Sequence, residues 1–129
     1  MEELMRAVLL DWLRTDPALA TSLNAICEEA PARTSLPWLA IATSASSDWS
    51  CKSHTGREVR IALELHTRAD TTDGSASLAA AIEQRIRDLP RAQAGFVIAS
   101  QRFVRARSEQ RRESRRAVLI EYAFRLLAS

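Results

Sequence analysis

The sequence predicts an α+β fold: one domain with a mostly antiparallel four-stranded sheet, helices packed on one face, and a long C-terminal β-hairpin. Three observations carry this. Two stretches alternate apolar and polar residues with a period of two, around Val59–Leu65 and again from Ala117 to Leu126. Two others, residues 2–14 and 75–89, repeat apolar residues every three or four positions, as amphipathic helices do. Finally, 129 residues with 47% apolar and 26% charged side chains suit one domain. A chain of that size builds a core without disulfide or metal.

The elements follow in order. In residues 2–14, Leu4, Val8 and Trp12 with Met5, Leu9 and Leu13 form the apolar stripe, and Glu2 and Glu3 oppose the helix dipole in the first turn. Asp16 and Pro17 have the chemistry of a helix cap and first position, giving a short second helix through Leu23. Residues 26–37 carry Pro31 and Pro37, lack a helical period and read as extended loop. A strand is expected over 38–44, then a Ser-rich, polar loop over 45–57. In the next strand Val59, Ile61, Leu63 and Leu65 face the core, while Arg60, Ala62, Glu64 and His66 face out. The helix over 75–89 takes Asp73 or Ser75 as cap, buries Leu78, Ile82, Ile86 and Leu89, and ends at Pro90.

Residues 95–107 read as a strand whose apolar phase slips near 100–102, which a β-bulge would explain. The last strand puts Val118, Ile120, Tyr122, Phe124 and Leu126 on one side. Its other row holds Ala117, Leu119, Glu121, Ala123 and Arg125. Polar residues 108–115 join these two strands as the tip of the hairpin.

Net charge is +2, but it is unevenly placed. Residues 1–90 hold nine basic and thirteen acidic side chains, a balance of −4, whereas residues 91–129 hold nine arginines and three glutamates, a balance of +6. Arg105, Arg107, Arg111, Arg112, Arg115 and Arg116 are concentrated in the expected hairpin. They suit contact with an acidic protein surface or with phosphates, so a small arginine-rich nucleic-acid-binding module is the alternative reading. Interleaved aromatics that stack bases are missing from this stretch. The apolar members of the outward row, Ala117, Leu119 and Ala123, together with Trp38 and Trp49 in or beside loops, point to a subunit interface.

Evidence for an enzyme is thin. The three glycines, Gly56, Gly74 and Gly95, form no phosphate-binding loop, and no P-loop, nucleophile elbow or H-E-x-x-H is present. Cys51 and His54 have a metal-ligand spacing, but a four-ligand site would need Cys27 and His66 as well. Neither a metal nor a cofactor is expected. The two cysteines make no disulfide framework and are read as free thiols, although the sequence leaves their pairing open. No span of about 20 apolar residues suggests a membrane segment, and the acidic start suggests no signal peptide, so synthesis in the cytoplasm is expected.

Asp48-Trp49-Ser50-Cys51-Lys52, followed by Gly56, Glu58 and a strand ending at His66, resembles the loop-and-strand signature of small phage tail-terminator, or tail-completion, proteins. Asp16-Pro17, Pro37 to Ile41, Arg116 and Tyr122-Ala123 agree in order, so the resemblance covers nearly the whole chain. Cys51 stands where the family more often has a small hydroxyl residue, and Trp38 where tyrosine is commoner. The resemblance implies a ring, usually of six subunits, at the head end of the tail tube. It implies partners in the tube and the head or neck, transient proximity to DNA in the channel, and relatives in phage-like gene transfer agents. The loop over 45–57, with Asp48, Trp49, Ser50, Lys52, Gly56 and Glu58, is then expected to support a contact surface, and hairpin residues 103–118 to reach a neighbouring subunit, the tube or the channel.

Overall fold

The computed structural model describes residues 1–68 and 72–129, without the side chains of Thr72 and Asp73. The side chain of the proposed cap Asp73 therefore lies outside what is described. Helix α1 (Glu2–Arg14) buries Met5, Leu9, Leu10 and Leu13. Helix α2 (Pro17–Ser22) starts as expected: the Leu19 N–H donates to the Asp16 carboxylate at 3.2 Å, a cap worth about 1 kcal/mol. Then come β1 (Ile26–Cys27), β2 (Trp38–Asp48), β3 (Gly56–Arg68), helix α3 (Thr72–Arg87), β4 (Ala92–Gln93), β5 (Phe96–Arg111) and β6 (Arg115–Ala128).

These strands form one sheet in the order β1-β2-β3-β6-β5-β4, antiparallel except where β1 runs beside β2. The sheet thus has six strands rather than four. The additional two, β1 and β4, are two residues long, too short to show a period. Every long strand also extends beyond its expected end. β2 runs to Asp48 because Thr43–Asp48 pair through their backbone with Arg57–Ala62, a bond pattern that polar side chains do not prevent. The loop expected over 45–57 shrinks to 49–55.

Helices α1 and α3 cover one sheet face, and their apolar stripes meet Val59, Ile61, Leu63 and Leu65 of β3 and Val118 to Leu126 of β6 in one core. Each fully buried Leu, Ile or Phe there contributes about 1.5–3 kcal/mol. Helix α3 starts three residues earlier than expected. Ser75 is consequently no cap but a buried residue whose hydroxyl lies 2.9 Å from that of Thr67. The end of α3 is fastened to α1: Trp12 Nε1 donates to the Arg85 carbonyl at 2.7 Å, Arg85 Nε donates to the Trp12 carbonyl at 2.9 Å, and the guanidinium stacks 3.4 Å from the indole centre.

Two bulges interrupt β5, at Ala99 and at Val104, on either side of the expected one. The hairpin tip is only three residues, 112–114, rather than the eight polar residues anticipated. The turn closes with the Arg115 N–H donating to the Arg112 carbonyl at 3.3 Å, and it puts Glu113 (φ 62°) and Ser114 (φ 54°) in the left-handed region. Asn-Gly is the favoured pair for such a turn. The double variant Glu113→Asn, Ser114→Gly is expected to gain about 1 kcal/mol, read as a melting temperature a few degrees higher by calorimetry. A lower melting temperature would mean that the turn is built differently.

Candidate assembly surface

The sheet face away from the helices is an ionic lattice. Period two sends Glu58, Arg60 and Glu64 of β3, Glu121 and Arg125 of β6, and Arg102, Arg105 and Arg107 of β5 to this side. Arg125 Nε donates to Glu58 Oε2 at 3.0 Å, and Arg60 stands 3.4 Å from the other oxygen. Arg105 Nε donates to Glu121 at 3.1 Å. Arg111 pairs with Glu109 at 2.6 Å and with Glu64 at 3.5 Å. Hydrogen bonds from Arg125 hold the Glu58 carboxyl below the usual carboxylate range, and those from Arg111 do the same for Glu109. The expected outward row is therefore not an open apolar strip. Ala117 and Ala123 are buried, flanked across the strands by His66 and Glu109 and by Arg60 and Arg102.

The six hairpin arginines do not form one patch. Arg105 and Arg111 are neutralised, and Arg116 turns to the helix side, where it donates to Ser108 Oγ at 3.1 Å. Arg107 and Arg112 are exposed and have no ion-pair partner among the described residues. Arg115 lies between Arg68 and Arg111 on adjacent strands, an arrangement of like charges that disfavours the isolated sheet. Arg68 was missed in the sequence, since only the strand register brings it beside Arg115.

The 49–55 loop is closed from within. The Trp49 N–H donates to the Gly56 carbonyl at 3.0 Å, the Cys51 N–H to the His54 carbonyl at 2.9 Å, and the Gly56 N–H to Ser50 Oγ at 2.9 Å. Ser50 Oγ donates to the Asp48 carboxylate at 2.6 Å, and Ala128 N–H ties the loop to the end of β6 through the Thr55 carbonyl at 2.9 Å. Asp48, Ser50 and Gly56 thus shape the loop, Trp49 lies under the Arg125 guanidinium at 5.3 Å, Glu58 belongs to the ionic lattice, and Lys52 is exposed.

The Cys51 thiol is exposed, and hydrogen bonds, first from Ser53 and then from His54, draw its pKa down to about 7. A lowered thiol pKa populates the thiolate below the ordinary value. Alkylation of Cys51 by iodoacetamide, followed by peptide mass spectrometry, is expected to rise with a midpoint near pH 7. In a Ser53→Ala chain the midpoint should move upward; an unmoved midpoint would assign the shift to another group.

The metal-ligand set is not assembled. His66 is at the Trp38 end of β3, while Cys51 and His54 lie beyond Asp48, about ten residues of strand or roughly 30 Å away. No group of three His, Cys, Asp or Glu is placed to hold a metal among the described residues. His66 is also not on a wet surface. It is 3% exposed, stacked on Trp38 at 4.0 Å between ring centres, with Nε2 bonded to Glu64. Trp38, expected beside a loop, is itself buried. Glu28 and Glu29 are both exposed, Glu28 pairing with Arg6 at 3.1 Å.

Both sides of the sheet end in an open edge. Among the described residues, β2 has a partner on its outer side only at Leu39 and Ala40, and β5 only from Phe96 to Ile98, whose N–H donates to the Arg91 carbonyl at 2.8 Å. Residues 41–48 and 99–111 therefore have unpaired outward backbone groups among the described residues. β5 carries arginines and two bulges along its open edge. β2 is different: Ala42 to Ser47 contains no charge and no proline.

No helix among the described residues is long and apolar enough to cross a membrane. A family model described as tail completion protein gp17 matches residues 7–126. Among solved structures, a chain of the virion of a native gene transfer agent particle superposes with a TM-score of 0.77 at 19% identity, covering 95% of this chain and 93% of that one. No curated protein sequence matches.

Proposed function

Because the match over residues 7–126 makes this chain a member of the tail completion protein gp17 family of structural phage-tail proteins, we propose that it forms a ring, of six copies, that caps the tail tube and joins it to the head or neck of a phage or phage-like particle. The observation that carries the ring is the pair of open edges. A ring needs a heterologous contact, in which one surface meets a different one on the next copy. The four long strands β2, β3, β6 and β5 alternate in direction, so β2 and β5 run opposite ways. Rotation about an axis along the strands therefore brings β5 of one copy beside β2 of the next in antiparallel sense, the pairing each open edge lacks. The tube and the head or neck proteins are its further partners, and the packaged DNA passes through its channel. Its place is the head-proximal end of the tail.

The nucleic-acid module draws less support, since Arg105 and Arg111 are already neutralised by Glu121, Glu109 and Glu64. Particles assembled without this chain are expected to give unjoined heads and tails, with joining restored by adding the purified chain and a ring seen by electron microscopy at the tail's head end. Normal joining in its absence overturns the proposal.

A further inference from the structure

We infer that Arg107 of one copy pairs with Glu29 of the next, in an acidic groove on the outer face of β2, and that this contact sets the register of the ring. The inference rests on the ring reading above and adds which side chains meet. Strand register gives each residue a height along the sheet. Ile26 and Cys27 of β1 stand level with Leu39 and Ala40, which continue across the sheet through Leu65 and Glu64 to Val118 and Leu119, and then to Ser108 and Arg107 of β5. Rotation about an axis along the strands preserves height. Arg107 of one copy therefore arrives level with Cys27 of its neighbour, and Glu29 is two residues further along. β1 ends at Cys27 and the chain bends at Glu28 and Glu29, so Glu29 is at most about 7 Å from Cys27 along the chain, within reach of an arginine side chain.

Charge and exposure agree with this meeting. Arg107 and Glu29 are both exposed, and neither has an ion-pair partner among the described residues. They lie on opposite edges of the sheet, with opposite signs, in a chain whose acidic excess is in residues 1–90 and whose basic excess is in residues 91–129. Beside β1 is a groove of about 290 Å³ with Glu29 and Glu64 on its walls and Trp38 and Ala40 among its lining residues. Trp38 and Ala40 lie in the rows of His66 and Glu64, on the outer face, and Arg107 is on the same face of β5. The bulge at Val104 falls near the height at which β1 ends and Glu28 and Glu29 follow. It bends β5 where a straight strand would run into the neighbour's β1. A guanidinium there meets carboxylates in the planar, forked geometry that arginine favours.

Charge reversal tests the pairing in assembled particles. Arg107→Glu alone and Glu29→Arg alone are each expected to lower the yield of joined particles about tenfold or more, since each sets like charges together. The double reversal should return the yield to within about threefold of the parent, because the pair is restored with its signs exchanged. Singles without effect, or a double no better than the singles, overturn the pairing while rings in the same particles leave the ring reading intact. Parent particles with no ring would end the ring reading and the pairing together. A second measurement does not depend on yield: in a Cys27→Ser, Cys51→Ser chain, Glu29→Cys with Arg107→Cys should be joined by a short bis-maleimide, which spans a gap too wide for a disulfide, to give a ladder of linked copies in assembled particles. Either cysteine alone should stay monomeric on the gel, and a double-cysteine chain that also stays monomeric rejects the contact.

Discussion

A Ser46→Pro chain is expected to fold as a monomer and to fail completely at closing the ring. The hydrogen bond from the Trp49 N–H to the Gly56 carbonyl fixes the alternation along this end of β2. The register is unbroken from Thr43 to Asp48, so the N–H groups of residues 43, 45 and 47 point to β3 while those of 44, 46 and 48 point to the open edge. Proline at 46 therefore removes an outward N–H and none from the β2–β3 ladder, the position at which strands tolerate it. Its fold-level cost is the Ser46 hydroxyl that accepts from Arg57 at 3.0 Å, an exposed bond worth about 1 kcal/mol or less. At the edge the ring blocks an incoming strand. The measurement pairs a melting curve, expected to shift by only a few degrees, with electron microscopy of tails, expected to show bare head-proximal ends. Capped tails bearing the variant would reject the β2 edge as the interface. Ala45→Lys with Ser47→Lys puts charges on the same edge by a different route and should give the same result.

Much of this architecture was legible because the informative residues are apolar and periodic. Leu9 and Leu13, Ile82 and Ile86, and the two rows Val59–Leu65 and Val118–Leu126 announced which face each element buries. What was hidden rests on backbone pairing. Thr43 to Asp48 carry no apolar alternation to mark a strand, and β1 and β4 are held by two residues each. The tight tip was obscured because Glu113-Ser114 takes the place of a glycine-containing pair. The candidate surface was half legible. Arginine density was plain, yet pairing decides its meaning, and the partners Glu121 and Glu64 lie 16 and 47 positions from Arg105 and Arg111 in the chain. His66 misled because alternation alone put it in water, and only the facing strand supplies the Trp38 ring that covers it. That β2 and β5 are the open edges follows from strand order and register, which no local sequence pattern announces.

Gly56→Ala is expected to cost about 3–5 kcal/mol, a large part of the 5–15 kcal/mol typical of a domain. Gly56 needs no unusual φ; its constraint is space. A Cβ there would overlap the Trp49 carbonyl oxygen and stand 2.9 Å from the Leu126 carbonyl oxygen. Both obstacles are backbone, so no rotamer change relieves them: the 49–55 loop, β3 and β6 would have to part. Overpacking of this kind costs about 1–3 kcal/mol. Parting the strands also strains the Trp49–Gly56 and Gly56–Ser50 hydrogen bonds, each worth about 1 kcal/mol. At about 3 °C per kcal/mol for a chain of this length, the melting temperature should fall by about 10–15 °C. Ser50→Ala separates the two effects, because it deletes the Ser50 bonds without adding an atom and should cost about 1 kcal/mol. If the alanine at 56 melted within 2 °C of the parent, the close approach of β3 to β6 and to the Trp49 carbonyl would be wrong, and with it the account of why the loop requires glycine there. The same variant reaches function through shape, since the 49–55 loop follows the open edge of β2 directly. An edge whose end has been pried from β3 presents its outward N–H groups at the wrong angle to the next copy, so ring closure should fail even at temperatures where the variant remains folded.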